Sequence, residues 1–143
     1  MARGKLIEDE LTRSVIGAFY EVYKELGFGF LENPYSLALS QELRNRGHVV
    51  AREFLATIKY KGEALCQQRL DVVVDNRLVI EIKSAALLPP TAIRQLYNYL
   101  HATDFEVGLV LHFGPEPKFY RQILTNDLKT KRRNPDLATD STN

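Results

Sequence analysis

A sequence of 143 residues with one cysteine, Cys66, has no partner for an internal disulfide. That excludes a disulfide-stapled secreted scaffold and fits a reducing compartment. No histidine lies close in sequence to activate Cys66 as a nucleophile, so it reads as buried strand filler. Long apolar runs are missing as well. None approaches a membrane span, and Met1-Ala2-Arg3-Gly4-Lys5 lacks the apolar stretch of a secretory signal, so a cytoplasmic protein with no membrane partner is expected. An excess of either charge is lacking: 19 Lys and Arg face 18 Asp and Glu, the net charge is +1, and nothing global marks a nucleic-acid binder. His48, His101 and His112 show no metal-ligand spacing. Gly27-Phe28-Gly29-Phe30 follows a helical pattern and lacks the third glycine of a dinucleotide fingerprint, so it reads as a helix end. There is no internal repeat and no linker.

What is present is an ordinary globular composition, 45% hydrophobic and 26% charged, in a chain long enough to bury a core without staples. One domain over residues 1–125 is expected, followed by a polar, basic tail over 126–143, frayed or disordered. Lys118, Arg121, Lys129, Lys131, Arg132 and Arg133 cluster around a single acid, Asp127, as either a phosphate-holding segment or a solvated charge run. Leu11, Val15, Phe19, Val22 and Leu26 put one apolar stripe on a first helix. A second helix is expected from Pro34 to Arg46 with Asn33 as N-cap, which leaves Glu32 in the turn before it. Strands follow over 49–60, 64–74 and 78–83. A helix with Ile93, Leu96 and Leu100 on one side comes next, then a buried strand over 107–111 and an edge strand over 119–124. The order is α-α-β-β-β-α-β, an α/β sandwich with a mixed sheet flanked by helices.

The chain is organised around Arg69 to Val74 and Leu78 to Lys83, two apolar runs carrying charges where a core strand has none. A three-residue loop, Asp75-Asn76-Arg77, pairs Leu70 with Ile82, Val72 with Ile80 and Val74 with Leu78, leaving one face apolar. The other face then sets Asp71 across from Glu81 and Arg69 across from Lys83. Adjacent carboxylates repel and call for a cation, and Mg²⁺ or Mn²⁺ suits oxygen ligands. Such an ion makes a hydrolytic centre, with Lys83 placed to assist the attacking water. The plainer reading is a structural network of charges on an exposed sheet face.

Asp71, Glu81-Ile82-Lys83 and Gln95-x-x-x-Tyr99, in that order, resemble the core of the PD-(D/E)XK nuclease superfamily. Gly29-Phe30-Leu31-Glu32-Asn33-Pro34-Tyr35 resembles the signature of the small GxxExxY family within it. Val15 to Ala18, Glu21 to Gly27 and Gln95 to Leu100 are similar too, so that the likeness runs from Leu11 to Gly114. The resemblance implies a restriction-endonuclease-like core that cleaves DNA or RNA. Asp71, Glu81 and the Ile82 backbone carbonyl would hold the metal, Lys83 would be the catalytic lysine, and Glu32 would be a further acid. Gln95 and Tyr99 would bind substrate or support the site, and Tyr35 would hold its place in the family signature. Two other classes stay open: a non-catalytic nucleic-acid or protein-binding module, and a homo-oligomeric scaffold, for instance a homodimer.

Overall fold

A computed structural model describes residues 7–133 of the chain. Helix α1 (Asp9–Leu26) buries Leu11, Val15, Phe19 and Val22 of the expected stripe together with Ala18, while Leu26 at its end is only partly buried. It ends at Gly27, whose φ of 69° is open to glycine and whose N–H reaches the Tyr23 carbonyl. Helix α2 (Glu32–Asn45) starts two residues earlier than the proline suggested. Pro34 lies in the first turn, where helix amides have no intrahelical acceptor and a missing N–H costs nothing. Leu31, not Asn33, is the N-cap.

The strands β1 (Val50–Tyr60), β2 (Glu63–Val74), β3 (Leu78–Ser84), β4 (Val107–Phe113) and β5 (Pro117–Ile123) form one sheet in sequence order. Helix α3 (Ala92–Ala102) connects β3 to β4, the only parallel pair among otherwise antiparallel neighbours. The β1–β2 and β2–β3 hairpins turn through paired left-handed residues, Lys61-Gly62 and Asp75-Asn76, which match the twist of the flanking strands. The fold is the mixed, helix-flanked α/β sheet that the sequence predicted.

The sheet is covered on both faces. Helices α1 and α2 pack on Val72, Val74, Leu78, Ile80, Ile82, Leu109, Leu111 and Phe113. Helix α3 packs on Val73, Val79 and Val110 with Leu96 and Leu100. Its close approach needs Gly108, where an added Cβ would stand 2.6 Å from Leu96 Cδ1.

Three expectations are corrected here. Pairing of β2 with β3 follows the predicted register from Val74↔Leu78 to Val72↔Ile80 and then stops, so Leu70 does not pair with Ile82 and Asp71 is not laddered to Glu81. Leu70 pairs with Phe54, and Arg69 with Leu55 rather than Lys83. The cause sits on the neighbouring strand: Glu53 has a left-handed φ of 52°, and it and Asp71 are skipped between Arg52↔Val72 and Phe54↔Leu70. Alternation breaks there, so Val72 faces α1 and α2 while Leu70 faces α3. Second, Cys66 is exposed, because the outer half of the β1–β2 hairpin extends past both helical layers. Third, the expected frayed tail opens with a helix, α4 (Asn126–Arg133), and the rest of that tail lies outside the described residues. Lys129 on α4 is fully buried and donates to the carbonyls of Thr103 and Phe105.

Candidate active site

Where β2 leaves β3, a backbone amide loses its strand partner. The Ile82 N–H donates instead to the Asp71 carboxylate at 2.8 Å, which ties that side chain across the opening. Burial pushes the Asp71 carboxyl up, and the Ile82 amide and the Lys83 charge oppose it. Glu81 lies on the α3 side of β3 with only 5% of its surface exposed, and its Oε1 has no hydrogen-bond partner among the described residues. Burial, then the nearby charge of Asp71, pushes its carboxyl up to about 8. An acid pair so placed destabilises the metal-free fold when both are ionised, which is why Glu81 keeps its proton near neutral pH. Lys83 is half-buried two residues along the same face, and its charge lowers the pKa of both acids, although no direct ion pair joins them.

Glu32 reaches the same place from the other layer. As the first residue of α2 it accepts the Ser84 N–H at 3.3 Å, and the Ser84 hydroxyl donates to the Phe30 carbonyl. Tyr35 fixes the loop from behind. It is fully buried, stacks on Phe113 at 4.0 Å, donates to the Gly27 carbonyl at 2.5 Å and accepts the Phe30 N–H. Between them Gly29 takes a φ of 119°, which only glycine holds without strain. The Gly29–Glu32–Tyr35 spacing is thus a mechanical unit: a glycine turn, an acid aimed at the end of β3 and a buried ring that anchors the turn. Glu32 raises the pKa of both Asp71 and Glu81, yet no group of three His, Cys, Asp or Glu among the described residues is placed to hold an ion by itself. Asp71 and Ile82 with Glu32, Asn33, Ser36, Arg52, Glu53 and Arg69 line an open cleft of about 290 Å³.

Helix α3 supplies the last neighbour. Burial and the charges of Glu81 and Asp71 raise the Tyr99 hydroxyl pKa. Gln95, one turn earlier, is exposed and makes no side-chain hydrogen bond among the described residues. Sequence reasoning missed Ser84, Arg52 and Glu53. Arg52 and Glu53 sit just before the alternating strand residues, and only the left-handed backbone at Glu53 turns them into the cleft.

A second polar cluster lies elsewhere. Ser14 Oγ meets His48 Nε2 at 2.7 Å, and His48 Nδ1 meets Asp75 at 2.7 Å, beside a hollow of about 480 Å³. Although burial pushes the Asp75 carboxyl up, the Val49 amide and His48 outweigh this and hold it below its usual range. Ser14 is inside α1, where the neighbouring amides are committed to the helix and cannot form an oxyanion hole. The cluster pins α1, the α2–β1 link and the β2–β3 turn together.

Comparison with known proteins bears on the family and the fold. A family model described as the PD-(D/E)XK nuclease superfamily matches residues 9–129. The crystal structure of SSO0001 is similar in fold, with a TM-score of 0.51 and 20% identity over 96% of this chain and 69% of that one. No curated protein matches the chain significantly. Among the described residues, no helix is long and apolar enough to cross a membrane.

Proposed function

We propose that this chain, which belongs to the PD-(D/E)XK nuclease superfamily, hydrolyses DNA or RNA phosphodiesters with a divalent metal at Asp71 and Glu81. The match supports a nuclease-type function; the metal, the substrate and the residue roles are our reading. The observation that carries it is Glu81, a buried carboxyl with a free oxygen set against a second acid. Two carboxylates and the Ile82 carbonyl, completed by water and substrate phosphate, form the kind of donor set that Mg²⁺ or Mn²⁺ accepts. When bound, such an ion polarises the phosphoryl group and lowers the pKa of a coordinated water.

The protein's own groups do the rest. Asp71 is oriented by the Ile82 amide and Glu81 by its buried position. Lys83 orients the attacking water and offsets charge growing on the phosphate. Glu32, held to Ser84, is the further acid; it orients water at the rim of the cleft or completes the metal's ligands through it. Tyr99 adds a hydroxyl within the field of the two acids, and Gln95 reaches substrate from the exposed side of α3. The mechanical unit of Gly29, Glu32 and Tyr35 supports placing the chain in the GxxExxY family. The site then belongs to one domain that runs past the expected boundary at 125, because α4 is tied to the fold through Lys129.

The test is cleavage of single-stranded DNA, duplex DNA and RNA in Mg²⁺, in Mn²⁺ and in EDTA. Wild-type protein should cut at least one substrate with either metal and none in EDTA, and Glu81→Gln and Lys83→Ala should lose at least about 100-fold, on the order of a lost charge-stabilising group. Activity surviving both substitutions would defeat the assignment. Salt-sensitive binding with no cleavage in any metal would favour the non-catalytic module instead.

A further inference from the structure

Of the arginines lining the cleft beside Asp71, only Arg69 is ion-paired, to Glu53 at 3.5 Å, with both side chains largely exposed. Arg52 is held differently. Its Nε donates to Ser36 Oγ at 3.1 Å and its Nη2 to Asn33 Oδ1 at 2.7 Å. Both acceptors are neutral, so the guanidinium is immobilised while its full charge is kept, and no carboxylate pairs with it directly among the described residues. Asn33 and Ser36 are three apart on the first turn of α2, hence on one helix face, and Asn33 follows Glu32. The turn that ties Glu32 to β3 therefore also aims Arg52 into the same cleft. A guanidinium anchored through two of its donors keeps the remaining N–H groups in a fixed fork, the geometry suited to a phosphate.

We propose that Arg52 is a substrate-binding residue that clamps a backbone phosphate of the nucleic-acid strand in this cleft, next to the bond being cut. The inference rests on the nuclease reading above. Because the clamp is built before substrate arrives, its binding entropy is largely lost in folding, and it fixes the strand's register against Asp71 and Glu81. It reads phosphate and not base, so it adds affinity without sequence preference.

The experiment uses whichever nucleic acid the wild-type protein cleaves fastest. Binding is followed against salt on the Glu81→Gln background, and steady-state cleavage on the otherwise wild-type chain. Arg52→Gln should weaken binding about tenfold and reduce the slope of log affinity against log salt by about 0.7–0.9, the share of one phosphate. In cleavage it should raise KM, and Arg52→Lys should restore only part of the loss, since an ammonium lacks the fork. Asn33→Ala keeps the charge but loosens it, so it should leave the salt slope intact and weaken binding less than Arg52→Gln. A wild-type salt slope and KM in Arg52→Gln would overturn the clamp while leaving the nuclease reading in place. So would a fall in kcat or Tm alone, which marks a purely structural arginine, and so would an equal or larger slope loss in Arg69→Gln. A wild-type protein that neither binds nor cuts nucleic acid would overturn both.

Discussion

At the scale of single residues, the proposed chemistry turns on Glu81. Its carboxyl titrates near 8 in the fold, against 4.5 in an unfolded chain, so between those values the folded state holds a proton that the unfolded state has released. Stability therefore falls as pH rises from about 4.5 towards 8, by up to about 1.4 kcal/mol for each step of one in pH. Replacing the acid with a neutral isostere removes that loss. Thermal unfolding of metal-free Glu81→Gln should give a Tm above wild type at pH 8 and a difference near zero at pH 4.5; a difference independent of pH would count against the buried-acid account. Asp71, Glu81 and Lys83 were legible in the sequence because charges interrupt apolar strands. Their burial was not, since it depends on where β2 departs from β3, and that follows from the backbone of Glu53 on another strand.

At the scale of elements, the site is a meeting of three. The β2–β3 fork presents two acids, the N-terminus of α2 brings a third from above, and α3 brings Tyr99 from below. Periodicity located the strands and α3, and cap and turn residues located α2. The cap signals failed at the start of α2, where Pro34 suggested a later boundary than the structure has. Periodicity also gave no role to Tyr35, because nothing local tells a buried tyrosine that anchors a loop from one that lines a site. Tyr35→Phe keeps the stack on Phe113 but leaves the Gly27 carbonyl and the Phe30 amide without their partner. It should lower stability by roughly 1–2 kcal/mol in urea unfolding, and reduce cleavage through a displaced Glu32 rather than abolish it. Unchanged stability together with lost cleavage would instead put the Tyr35 hydroxyl in contact with substrate.

Over the whole molecule, two helical layers enclose a mixed five-stranded sheet, and the acids sit where β2 departs from β3. That architecture was readable from the order of elements. The end of the chain was not, because the polarity of residues 126–133 hid Lys129, whose ammonium goes into the protein to bond the carbonyls after α3. Truncation after Thr125 should thus cost about 2 kcal/mol or more, as buried carbonyls lose a charged donor, and lower Tm by several degrees. A disposable tail would leave Tm unchanged. The central claim is that the buried acids exist to hold a metal, and crystals soaked in Mn²⁺ test it most directly. The account expects an anomalous difference peak between the Asp71 and Glu81 carboxylates in the wild-type protein and none in Glu81→Gln. A wild-type map without that peak, at Mn²⁺ concentrations that support cleavage, would contradict it.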